Sequence, residues 1–134
     1  MSTRSLTVLQ DSWEEHEEIA VMYRQMDGYP EGHGKDLADF LKGMRITNGM
    51  SGSTDKTANG GDCLAAQIVA HFKTEVDSIY LKAAGTRDCD EEYIYTVTPD
   101  VGTGTIRLKC EAVGYNGEPN EIIFDGLVDS WTIQ

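Results

Sequence analysis

Pro30 lies where the hydrophobic pattern of this chain changes period, and that change is the strongest constraint on how the chain folds. Upstream, Leu6 and Val8 alternate with Ser5 and Thr7, and Ile19, Val21 and Tyr23 alternate again, as half-buried strands do. Downstream of Lys35, the residues Leu37, Phe40, Leu41 and Met44 recur at spacings of three and four, which is helical. Between the two patterns, Asp27-Gly28 is a turn dipeptide and Pro30 lacks the amide that a strand ladder needs. A second helix is expected over 63–74, with Leu64, Ile68 and Phe72 on one face and Asp62 as its N-cap. Strands are expected over 78–82, 92–98, 105–112 and 121–125, and a short last one over 128–133. The order is therefore ββααββββ, with an optional final β. Strands that bracket two helices predict the α+β class, an antiparallel β-sheet with two helices packed on one face.

A chain of 134 residues fits one domain, spanning 1–134. Residues 46–61 are rich in Gly, Ser, Thr, Asn and Asp and are expected to form a mobile surface loop. No apolar run approaches the ~20 residues of a membrane span. The first residues lack the apolar core of a signal peptide, so a cytoplasmic location without membrane contact is expected. Twenty-three Asp and Glu stand against 11 Lys and Arg, a net charge of −12. That field repels phosphate backbones, which argues against direct nucleic-acid binding. It serves solubility, or it attracts a basic protein partner, including one that normally binds nucleic acid. Cys63, Cys89 and Cys110 match no disulfide or zinc spacing, and no cofactor is expected. Cys110 alternates with Ile106 and Leu108 and reads as a small buried hydrophobe.

The stretch from Tyr23 to Gly34 gathers most of the chemistry. Asp27, Glu31 and His33 suit a divalent metal or acid–base work. The alternative is that Asp27 holds the turn, Glu31 is solvated and His33 packs at the helix entrance. Arg4 and Arg24, at neighbouring ends of the first two strands, would join Tyr29, Gln67 and His71 around a small anionic or nucleotide-like ligand. The alternative there is that both arginines pair with Asp27 or Glu31 and pin the turn. Gly28, Gly32 and Gly34 precede a helix, but Asp36 and Asp39 at its start oppose a phosphate. Ser5, Ser51, Ser53 and Cys63 sit in no nucleophile motif. Acidic runs at Glu14, Glu15, Glu17 and Glu18 and at Asp88, Asp90, Glu91 and Glu92 are candidates for an interface, or simply solvated loops.

The words Thr3-Arg4-Ser5, Tyr23-Arg24-Gln25-Met26-Asp27-Gly28-Tyr29-Pro30-Glu31-Gly32-His33-Gly34, Leu64-Ala65-Ala66-Gln67-Ile68-Val69-Ala70-His71-Phe72-Lys73 and Glu91-Glu92-Tyr93-Ile94-Tyr95 resemble a family of small uncharacterised proteins of phages and bacterial genomes. The likeness runs from residue 3 to about residue 98 and implies no activity and no catalytic residue. It implies a setting in which small acidic proteins act as inhibitors of host machinery, anti-CRISPR proteins among them. The leading expectation is thus a small acidic binding protein without catalysis, directed at a basic protein in a host defence complex. A ligand pocket around Arg24, Asp27, His33 and His71, which sequesters or cleaves a nucleotide, is the first alternative. A structural oligomeric module is the second.

Overall fold

A computed structural model of the protein describes residues 2–13, 15–49 and 56–133. Its element order is β1 (Ser5–Gln10), β2 (Glu18–Arg24), a π-helical turn (Pro30–Gly34), α1 (Lys35–Leu41), β3 (Arg45–Thr47), β4 (Thr57–Asn59) and α2 (Gly60–Phe72). There follow β5 (Tyr80–Ala83), β6 (Tyr93–Asp100), β7 (Thr105–Ala112), β8 (Glu121–Leu127) and a 3₁₀ turn (Val128–Ser130). The class is α+β, as the alternating and helical patterns imply.

A six-stranded sheet in the order β5-β2-β1-β6-β7-β8 carries the fold. Its pairs are antiparallel except β1 and β6, which run parallel from Ser5 opposite Tyr93 to Leu9 opposite Val97. The sheet is thus mixed, where an antiparallel one was expected. The cause is topological: β5 pairs with the outer edge of β2, so the chain must return past two strands before β6 joins β1. Two further corrections concern short segments. Residues 45–47 and 57–59, inside or beside the expected loop, pair as a small parallel sheet and bury Ile46 and Ala58; residues 50–55 of that loop lie outside the described residues. The expected last strand is instead the 3₁₀ turn, whose Trp131 packs edge-on against Phe124. Helix α2 begins at Gly60, with no side-chain cap from its N-cap residue Asn59, so Asp62 lies inside the first turn.

Both helices pack on one face of the sheet. Leu37, Ala38 and Leu41 of α1 and Leu64, Ala65, Ile68 and Phe72 of α2 form one cluster with Leu9, Met22, Tyr95, Val97, Leu108 and Cys110. Cys110 is fully buried as expected, and burial pushes its thiol up to about 12. Side chains alternate across a strand, so Leu6, Val8, Val21 and Ile94 lie on the opposite face, outside that cluster, and yet they are buried. The connection from β5 to β6, residues 84–92, runs back along this second face. Glu18 accepts from the amide of Gly85 and from both terminal nitrogens of Arg87, and the Glu92 amide donates to the Arg4 carbonyl. β1, expected to be half-buried, is thus buried on both sides, with this strap tied at both its ends to the β1–β2 pair. Among the described residues, no helix is long and apolar enough to cross a membrane.

Candidate functional site

The bend that follows β2 is built into the core rather than laid over it. The Gly28 amide donates to the Thr3 carbonyl, and the Gly28 carbonyl accepts from the buried Tyr95 hydroxyl at 2.7 Å. Asp27 adopts a left-handed backbone (φ 60°), which lets its carbonyl accept from the His33 amide at 2.8 Å. Gly34 is needed for a close approach: a Cβ there would stand 2.8 Å from the Trp131 ring and 3.1 Å from that of Tyr95. These ties fix the π-helical turn as it delivers the chain into α1.

His33 is fully buried under this turn, 5.0 Å from the rings of both Phe72 and Tyr95. Its Nδ1 lies 3.0 Å from Nη1 of Arg24, and its Nε2 lies 2.7 Å from Oγ1 of Thr7. A guanidinium only donates, so Nδ1 accepts and the neutral ring carries its proton on Nε2, which donates to Thr7. Burial first, and the Arg24 charge second, hold the pKa of His33 down to about 3. Arg24 also donates from Nε to the Met26 carbonyl at 2.7 Å and pairs with Asp36 at 3.5 Å. The turn is therefore pinned by Arg24, but through His33, Met26 and Asp36 rather than through Asp27 or Glu31. Asp27 and Glu31 are exposed, and their carboxylates make no hydrogen bond to the His33 ring. Among the described residues, no group of three or more His, Cys, Asp or Glu is arranged to hold a metal ion.

Beside the bend lies a cleft of about 750 Å³, bounded by α1, the end of α2 and the turn that leads to β5. Met26, Phe72 and Ile79 form its apolar surface, and Arg24, Lys56, Asp36, Asp39 and Asp77 its charged one. Phe40 of α1 and His71 of α2 form one wall, stacked at 4.1 Å with 18° between their planes. Phe72 meets His71 edge-on, at 90°. The cations here are already engaged. Arg24 is held as above, and Nζ of Lys56 donates to the Lys42 carbonyl at 2.5 Å. Lys35 binds Asp39 at 2.7 Å, and that hydrogen bond holds the Asp39 carboxyl below its usual range. Among the described residues, the Asp77 carboxylate has no hydrogen-bond or ion-pair partner.

Of the ligand-binding candidates read from the sequence, Arg24 and His71 line this cleft, and His33 lies sealed beneath it. The others lie elsewhere. Gln67 donates to the Thr57 carbonyl and to Sγ of Cys63 on another side of α2. Tyr29 is exposed and reaches Asp27 at 3.4 Å, while Arg4 is half-buried at the start of β1. Phe40, Lys56, Asp36 and Asp77 also line the cleft, and no motif in the sequence marks them for it. Phe40 carries the same helical spacing as the core, and Asp77 has no local pattern at all.

The acidic runs separate. Glu14 lies outside the described residues. Glu15 and Glu17 are exposed around a shallow depression with Asp11, Trp13 and His16. Glu18 instead faces the strap, whose Asp88, Asp90 and Glu91 border a second depression with Arg87, Val113 and Tyr115. The amide of Glu92 is tied to the start of β1. The end of the first run is thus bonded to the segment that carries the second. Comparison with family models, with curated proteins and with solved structures finds no match to this chain.

Proposed function

We propose that this protein is a non-catalytic binding protein that engages a basic protein partner through the cleft between α1 and the end of α2. The observation that carries this reading is the makeup of that cleft: a stacked wall of half-buried Phe40 and exposed His71 in one concavity with three carboxylates. A volume of about 750 Å³ has room for a small ligand or for a side chain of a partner. The cations of the cleft are engaged by the protein's own groups, so Asp77 is left to an incoming positive charge. The net charge of −12 draws a basic surface toward the protein and repels an acidic one. In the phage setting that the resemblance implies, such a binder acts as an inhibitor of a host defence complex.

The alternative, a small anionic or nucleotide ligand, is favoured by one feature, the presence of Arg24 and His71 in the same cleft. Three carboxylates around them and the charge of the whole chain weigh against it.

One titration separates the two readings. Fluorescein-labelled peptides rich in Arg and Lys, and nucleotides in parallel, are titrated into the protein at several salt concentrations while amide and ring NMR shifts are followed. The basic peptides are expected to bind in a salt-sensitive way, with shifts centred on His71, Phe40 and Asp77. Nucleotide binding in the cleft, or basic peptides that shift only residues elsewhere, would overturn the reading.

A further inference from the structure

We propose that the cleft selects arginine over lysine in its partner, with the guanidinium laid flat against the exposed His71 ring and its charge met by Asp77. This inference rests on the binding reading above and specifies the group that the cleft takes.

The geometry of the wall is the first reason. Phe40 and His71 are stacked nearly parallel and in van der Waals contact, with Phe40 half-buried against the core and His71 exposed. Phe72 meets His71 at right angles, and Phe40 is the ring stacked parallel to it, while the His71 side chain is exposed to solvent. A planar, delocalised and weakly hydrated cation gains by stacking on such a surface. An ammonium has no plane to match it and holds its water more strongly.

Charge is the second reason. Arg24, the arginine already in the cleft, is fixed on His33, Met26 and Asp36, so the protein's own guanidinium does not reach out to quench Asp77. Asp77 follows the end of α2, on the turn that borders the cleft, and among the described residues its carboxylate has no partner. A guanidinium on His71 would find in Asp77 an acceptor suited to its fork.

The test uses the intact protein and three peptides of one sequence, with arginine, lysine or citrulline at a single central position. Citrulline keeps the plane and loses the charge. Arginine is expected to bind roughly three- to tenfold more tightly than lysine, and citrulline to bind more weakly than either. His71→Ala and Asp77→Asn change exposed side chains; each is expected to remove most of the preference, whereas His71→Phe, which keeps the flat wall, retains it. Asp90→Asn, on the strap, leaves it unchanged. Equal binding of arginine and lysine with shifts in the cleft would overturn this inference and leave the binding reading standing. Absence of binding by either basic peptide would overturn both. A preference that survives in both His71→Ala and Asp77→Asn would place the selecting group elsewhere and overturn the inference alone.

Discussion

Buried His33 gives the fold a specific dependence on acid. In the folded protein the ring is neutral, with its Nδ1 lone pair accepting from Arg24, and its pKa is held down to about 3. In the unfolded chain the same ring titrates near 6.5. Above pH 6.5 both states are neutral and His33 adds no pH dependence. Below it the unfolded state binds a proton that the folded state refuses, so stability falls until the folded pKa is reached. The slope approaches 1.36 kcal/mol per pH unit, which amounts to about 2 kcal/mol at pH 5 and about 3 kcal/mol at pH 4. Carboxylates titrate in the same window, so the quantity to measure is the difference between wild type and His33→Gln. Urea unfolding of both proteins at pH 7, 6, 5 and 4 gives that difference at each pH. The wild type is expected to be the more stable at pH 7 and to lose its advantage by these amounts as pH falls. NMR of the His33 ring supplies an independent reading, with the neutral Nε2–H tautomer persisting below pH 5. A difference that does not change with pH, or a ring that titrates near 6, would refute the assignment of His33 as a neutral, desolvated brace.

Three other outcomes follow from particular contacts. Gly61→Ala would drive a Cβ to 2.7 Å from the backbone of Asp11 and Ser12, and neither backbone can yield easily; chemical denaturation should show a loss of about 2–3 kcal/mol. Tyr95→Phe removes the donor to the buried Gly28 carbonyl and should cost about 1–3 kcal/mol by the same measurement, with increased hydrogen exchange in the bend. Glu18→Gln removes the charge that Arg87 and the Gly85 amide share, at a cost of about 1 kcal/mol. The hydrogen bond from Arg87 holds the Glu18 carboxyl below its usual range, so its contribution is present above the unfolded value of about 4.3 and is lost as pH falls through the folded one. The protection of the Gly85 amide, its exchange rate set against that of an unstructured chain at the same pH, should therefore fall in acid in the wild type and be reduced at neutral pH in Glu18→Gln; protection unchanged both by acid and by the substitution would contradict the role of the Glu18 charge.

Particular residues show how far local sequence carries. The period-two runs place β1, β2, β6 and β7, the short apolar run Ile122-Ile123-Phe124 places β8, and the three-four spacing of Leu37, Leu41, Leu64, Ile68 and Phe72 places the helices and their inner faces. The alternation does not say which face of a strand meets the helices. In β1 the apolar Leu6 and Val8 point away from them, and Thr7 points toward them to meet His33. The reversal is tolerated because Leu6 and Val8 are buried on their own face of the sheet, and because an imidazole meets the Thr7 hydroxyl. Both conditions are set by residues far away in the chain. The three-residue strands at Arg45–Thr47 and Thr57–Asn59 are too short to carry a period, and their composition matches that of a loop.

The candidate site divides in the same way. Turn chemistry at Asp27-Gly28, the strand stop at Pro30 and the concentration of polar groups before α1 are local properties, and local sterics and missing amides dictate them. The excess of acid over base is likewise written in the composition. Which of those polar groups becomes a brace and which a wall of the cleft depends on burial, and burial is a property of the packed whole. Desolvation makes His33 a neutral strut and fixes Arg24 on it. Only the docking of α1 beside α2 lays Phe40 on His71 and turns Asp77 toward the same hollow.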